Sequence, residues 1–406
     1  MTDTGSRARE RGASTPTRAW LILAVLLLFS IAAPLNQFKV PPIMPLLIES
    51  VGLTFGNSGL LMSLYAVTGL ILALPSGFIL QRAGFRMTGL LAGGSIALGA
   101  AIGALSQRTD VLLGSRVVEG VGTSFMAVLA PALIAQWFAP QHRGTAMGVW
   151  SAWVPVGAAT MLILAPRVAQ ASGWRAVWWI GAIYAVAATV LTLVVVRPRR
   201  AEAPEAPDAS EARPARPISA SPVLRNVDVW LLAAAFGAFN AAALGFGTYM
   251  PTFLNEQRGL LLAQASLLSS VPTLITIFSA PAGGIVSDRM GSRKKPYLVG
   301  FAVALVLLPL AGALSVTGII VLVVVQGLVF GLVPTNIFAA AVQAAEDERQ
   351  SGMAMAMIMV GQNGGMLLGP VIFGALVEGA GWAAAFASLS VMAALGLLAG
   401  WRAKVR

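Results

Sequence analysis

What most restricts this chain is the length of its apolar runs. Twelve follow one another, at residues 19–48, 58–80, 87–106, 111–138, 145–169, 176–196, 227–254, 263–287, 296–314, 318–342, 351–377 and 382–401. A helix needs about 20 mostly apolar residues to cross a bilayer. Within lipid, only a helix or a closed barrel satisfies its own backbone polar groups. Hydrophobic residues make up 57% of the 406 and charged residues 11%, where a soluble domain carries about 25% charged. The chain is predicted to be an all-α membrane protein with twelve transmembrane helices.

The turns between runs are short except at 198–226, rich in Pro, Ala, Glu and Arg. Such a segment buries no apolar surface and reads as a flexible linker. It divides the chain into an N-terminal six-helix bundle (19–197) and a C-terminal one (227–402). Residues 1–18 are predicted to be disordered and 403–406 to form a short tail.

The two halves repeat. Gly77, Arg82, Gly84 and Arg86 match Gly284, Arg289, Gly291 and Arg293 at one offset (284 − 77 = 207). Both sets fall between the second and third runs of a half. Glu119-Gly120 and Gln326-Gly327 lie at the same offset (326 − 119 = 207) in the two fourth runs. Two six-span halves related as parallel repeats are an architecture of secondary transporters.

The cations set an orientation. With the N-terminus in the cytoplasm, 21 of the 27 Lys and Arg residues face that side and four (Arg108, Arg167, Arg175, Arg258) the other. That asymmetry predicts both termini, the linker and the repeated turns on the cytoplasmic side, as in a bacterial inner-membrane protein. Trp20, Trp137, Trp230 and Trp401 then fall near the inner interface and Trp174, Trp178 and Trp382 near the outer one. The net charge of +11 resides in turns between membrane spans, which argues against nucleic acid as a partner. The chain has no cysteine and one histidine, so nucleophilic or metal-dependent catalysis has almost no material. No metal, nucleotide or other cofactor is predicted, and the chain is expected to be a monomer.

These features resemble the major facilitator superfamily over nearly the whole chain. That family carries Gly-x-x-x-Asp-Arg-x-Gly-Arg-Arg after span 2, often with a weaker copy after span 8. Here "GIVSDRMGSRK", from Gly284, is the fuller copy and "GFILQRAGFR", from Gly77, the weaker, with Gln81 where the family has Asp. "RVVEGVG", Arg116 to Gly122, is similar to the family's Arg-x-x-x-Gly-x-Gly in span 4. The resemblance implies a twelve-helix transporter working by alternating access. It also implies that Asp288 latches the cytoplasmic side shut at a helix N-terminus across the seam between halves. The alternative is that these residues only enforce topology. The glycines of the turn are expected to let helix ends approach closely. "LNQFKVPPIMPLL" and "PALIAQWFAPQHRGTAMGVWSA" are more loosely similar to the family's cyanate and nitroimidazole branch.

Three ionisable groups lie well inside the runs, away from their ends: Lys39, Arg116 and Glu119. Each costs at least about 2.5–3.5 kcal/mol at membrane depth, which marks it as a functional candidate. Arg116 and Glu119, three apart on one helix, can pair, either as a switch that lets Glu119 carry a proton or as a permanent structural pair. Lys39 follows Pro34 and precedes Pro41 and Pro42, which must break the first helix and free backbone carbonyls. Its ammonium is expected either to attract an anion from outside or to snorkel to the headgroups. Asn36, Gln37, Asn240, Tyr249, Gln326 and Asn336 lie on spans 1, 7 and 10, which by resemblance surround the cavity together with span 4. They either line that cavity or bond one helix to another. Two cations against one carboxylate favour a small organic anion, taken up with protons. A proton-coupled drug or metabolite exporter is the alternative, weakened because span 5 carries only "VPVGAA" where drug antiporters of the family carry a Gly-Pro motif. Gly361, Gly365 and Gly369 form a small-residue stripe suited to close packing.

Overall fold

The computed structural model describes residues 17–72, 75–196, 224–345 and 351–405. Most of the expected disordered N-terminus and of the linker lies outside the described residues. The N-terminal half comprises α1 (Thr17–Gln37), a 3₁₀ turn (Pro41–Ile43), α2 (Met44–Val51), α3 (Phe55–Leu72), α4 (Pro75–Leu105), α5 (Thr109–Trp137), α6 (Pro140–Trp150), α7 (Trp153–Ser172) and α8 (Trp174–Val195). The C-terminal half comprises α9 (Val227–Arg258), α10 (Leu262–Met290), α11 (Lys294–Leu310), α12 (Val316–Phe330), α13 (Leu332–Ala344) and α14 (Ser351–Arg402).

Among the described residues, ten stretches are long and apolar enough to cross a membrane. The 17-residue α11 adds an eleventh. The twelfth arises because α14 turns back at Gly381, whose φ of 82° only glycine adopts readily. The protein is thus a multi-pass membrane protein of twelve spans.

Several predicted continuous spans are broken. Pro41 and Pro42 have no N–H to donate, so span 1 leaves α1 through a 3₁₀ turn before α2. Span 5 breaks between α6 and α7, where Ser151 Oγ donates back to Gly148 O at 2.7 Å. Span 10 breaks at Gly331, where a Cβ would overlap Ser279 of α10.

The internal repeat is a repeat of packing. Gly120 of α5 sits against Tyr65 O and the Thr68 hydroxyl of α3, with no room for a Cβ. Gly327 of α12 sits in the same way against Pro272 and Ile275 of α10. Those partners are also related by 207 residues (272 − 65 and 275 − 68). Without water to exclude between helices in lipid, such close approach is a main source of helix association. The predicted stripe on α14 works the same way. A methyl on Gly361, Gly365 or Gly369 would overlap the carbonyl of Ala233, Gly237 or Ala241 on α9.

The halves meet along α3 against α14 and α7 against α10. Three hydrogen bonds that cross this seam are Tyr249 Oη to Phe55 O at 2.5 Å, Gly56 N to Glu378 Oε2 at 2.9 Å, and Ser266 Oγ to Pro42 O at 3.3 Å. All three lie at helix ends remote from Val196 and Asn226, between which the linker runs. The molecule is closed on the side away from its linker.

Candidate functional site

The break in span 1 builds the site. Where α1 stops, the carbonyls of Asn36 and Gln37 have no helical partner, and Arg116 of α5 takes them. Its Nε donates to Leu61 O (2.8 Å), Nη1 to Asn36 O (2.9 Å) and Nη2 to Gln37 O (3.1 Å). A planar guanidinium with five donors in a fork suits such a cluster of acceptors. Arg116 also pairs with Glu119 one turn along.

Lys39 closes the cluster. Its Nζ donates to Glu119 Oε1 at 2.8 Å and to Asn36 Oδ1 at 2.9 Å. Lys39, Arg116 and Glu119 are all fully buried. The expectation that Lys39 snorkels to the headgroups is overturned, because in the state described its ammonium is buried on Glu119. The 3₁₀ turn folds residue 39 inward, where the carboxylate offsets part of its desolvation. Trp178, expected in the outer interface, is also buried, with its ring 4.6 Å from Lys39 Nζ. The Tyr65 ring lies 4.7 Å from the Arg116 guanidinium. Tyr65 is itself fixed, donating to Ala33 O (2.8 Å) and accepting from Thr123 Oγ1 (2.7 Å). Each cation therefore has a carboxylate oxygen and an aromatic face for company.

Glycines make the space. A Cβ on Gly99 would lie 2.7 Å from Glu119 Cγ, and one on Gly103 would overlap Trp178. One on Gly181 would overlap the Asn36 side chain, whose Nδ2 donates to Ala32 O (2.9 Å) and Gly181 O (3.3 Å). Two buried donors, Gln37 Nε2 and Trp178 Nε1, find no acceptor. The cluster thus holds two cations and two unpaired donors against one carboxylate, an excess of positive and donating groups.

The other candidates do not join it. Asn240 bonds its own helix at Phe236 O (2.8 Å). Tyr249 lies in the seam, on Phe55. Asn336 donates to Leu332 O (2.8 Å) and Gly283 O (3.4 Å), leaving Oδ1 unpaired. Gln326, the repeat-mate of Glu119, is buried with Oε1 unpaired. The ionic site is built wholly from the N-terminal half. Tyr65, Thr123, Trp178 and the three glycines escaped the sequence reading because their roles depend on contacts between distant helices.

Comparison with known proteins fits this architecture. The family model of the Major Facilitator Superfamily matches residues 21–346 and 262–406. The chain belongs to the Major Facilitator Superfamily. It is 25% identical over 387 residues to the hexuronate transporter of Bacillus subtilis, covering 89% of each chain. It is 21% identical over 379 residues to the probable sulfoacetate transporter of Cupriavidus necator, covering 89% of this chain and 88% of the relative. A bacterial homologue of the human lysosomal transporter Spinster, solved in an inward-facing and occupied conformation, superposes with a TM-score of 0.80. Its sequence identity is 15%, and the match covers 96% of this chain and 97% of that one. The protein is a transporter of this superfamily, not an enzyme.

The superfamily's loop signature takes a different form here from the one expected. Gly84 and Gly291 have positive φ, 72° and 59°, and a Cβ on either would meet nothing within 4 Å. A Cβ on Gly77 likewise meets nothing, and Gly284 makes only an ordinary contact at 3.7 Å, with Thr335. Gly84 and Gly291 serve backbone conformation, and in the state described none of the four glycines meets the close neighbour that was expected. Asp288 lies beside Arg293, Oδ1 to Nη2 at 2.6 Å, and its side chain is 66% exposed. It pairs within its own loop instead of across the seam. Arg82, Arg86 and Arg289 are exposed.

Proposed function

We propose that this transporter takes up a small organic anion together with protons across the bacterial inner membrane, with both termini and the linker in the cytoplasm. The observation that carries the reading is the buried cluster of Lys39, Arg116 and Glu119 with the unpaired donors Gln37 Nε2 and Trp178 Nε1. The cluster's formal charge is +1. A proton on Glu119 alone would raise it to +2, and a monoanion alone would lower it to zero. Proton and monoanion together return it to +1. In a medium of low dielectric the anion offsets the charge that the proton adds, so each favours the binding of the other, which couples the two. Protonating Glu119 frees Lys39 and Arg116 to hold the incoming acid, and Gln37 and Trp178 gain the acceptor they lack. The relatives named for hexuronate and sulfoacetate support an organic anion as cargo. The cation asymmetry supports the orientation.

The state described is closed on the side away from the linker. In the proposed orientation it faces inward, so cargo is released to the cytoplasm after the outer side shuts. Asp288 would then make its cross-seam contact only in the opposite, outward-facing state. The test is uptake of hexuronate and sulfoacetate into proteoliposomes, with and without an inward proton gradient, by wild type and Glu119→Gln. Gradient-stimulated uptake that becomes insensitive to the gradient in Glu119→Gln is the expected result. Gradient-driven extrusion of lipophilic cations, with no anion flux, would replace this reading with the exporter.

A further inference from the structure

The seam away from the linker is closed by a charge as well as by packing. Helix α3 begins at Phe55 with no acidic residue in its first turn. Its N-terminal dipole is instead met from the opposite half. Glu378 Oε2 accepts the Gly56 N–H at 2.9 Å, and the Thr54 hydroxyl donates to the same carboxylate. Glu378 sits where α14 ends its first pass, just before the turn at Gly381. Glu378 itself is exposed, and the joint beside it is tight. Tyr249 Oη donates to Phe55 O at 2.5 Å, and a Cβ on Gly59 would overlap Pro370 O. The Phe55 ring lies 5.6 Å from that of Trp382, edge on. Only when the halves are together on this side can a carboxylate of one half cap a helix of the other.

We propose that Glu378 is the latch of the far-side gate: its carboxylate on the α3 N-terminus holds the inward-facing state, and opening outward requires its release. The bond has a plain reason to favour one state. An anion at a helix N-terminus is stabilised by the unpaired N–H groups and the helix dipole. When the halves part, Gly56 N–H and the carboxylate return to water separately. Glu378 is a positioning residue, remote from Glu119, and this role does not depend on what is carried.

The chain has no cysteine, so a single reporter is unambiguous. Ser266 is fully buried in the same seam, donating to Pro42 O. Ser266→Cys is nearly isosteric and reacts with a maleimide only when the far side opens. With opening fast relative to labelling, the rate is proportional to the open fraction. In nanodiscs, Glu378→Gln is expected to raise that rate roughly two- to fivefold, and Glu378→Lys further. Thr54→Val, which removes the donor to Glu378 and the acceptor of the Asn57 N–H but no charge, is expected to raise it less. Labelling of a cysteine at exposed Asn57 should stay constant, which excludes an altered reagent chemistry. Rates unchanged or lowered in Glu378→Gln and Thr54→Val alike would overturn the latch.

Discussion

Glu119 is the one carboxylate between two buried cations, and its removal should be the most damaging single change in the cluster. Glu119→Ala leaves Lys39 and Arg116 facing each other in a dry interior, a loss of about 3–5 kcal/mol for a broken buried pair. Lys39→Met leaves the Arg116–Glu119 pair neutral and replaces an ammonium by a chain of similar length. It should cost less than Glu119→Ala, and detergent melting curves of the two variants order them. Gly103→Ala forces a methyl into Trp178, the ring beside Lys39. Overpacking of this kind costs about 1–3 kcal/mol, visible as a lower melting temperature. The three charges were legible in the sequence because a charge within an apolar run stands out. The Arg116–Glu119 pair was legible too, from its spacing of three; that Lys39 joins it was not. Lys39 and Glu119 are 80 residues apart, and only the turn at Pro41 decides whether the ammonium points to lipid, water or carboxylate.

At the scale of elements, glycine has two separate uses in this chain. On α14, Gly361, Gly365 and Gly369 admit the backbone of α9. Gly365→Ala is expected to pry the pair apart, lowering thermal stability by about 1–3 kcal/mol. At Gly84 and Gly291 there is open space but a left-handed backbone. Alanine there should cost about 1–2 kcal/mol through conformation alone; asparagine should cost less than alanine at Gly291, which is αL, but not at Gly84, whose ψ of 177° suits glycine only. A melting series of Ala and Asn at Gly291 and Gly365 separates the two uses, since asparagine gives no relief where the fault is steric. The stripe on α14 was legible from its four-residue spacing. The breaks in spans 5 and 10 were not, because runs 145–169 and 318–342 are continuous in hydropathy. The interruptions at Ser151 and Gly331 are set by a local hydroxyl bond and by the approach of α10.

For the whole molecule, the two ends of the seam oppose each other. Far-side contacts through Tyr249, Ser266 and Glu378 hold the state described here. The loop signature rests in its own half with Asp288 on Arg293, and its proposed action belongs to the other state. Gln81→Asp supplies the charge that the first copy lacks. It is expected to favour the outward-facing state and so to speed labelling of Ser266→Cys about two- to fivefold; an unchanged rate would limit the first loop to topology. The sequence by itself determined that the protein lives in a membrane, crosses it twelve times, consists of two related halves, and isolates three charges among apolar residues. These follow from local hydrophobicity, run length and an offset of 207 residues, none of which needs a contact to be known. Only the tertiary structure decided that Lys39 closes on Glu119, that Gly120 and Gly327 repeat a packing joint, and that Glu378 caps a helix of the opposite half. The physical reason is that each of these is an interaction between segments 52 to 322 residues apart. Its geometry is set by how helices approach in lipid, and no single segment encodes it.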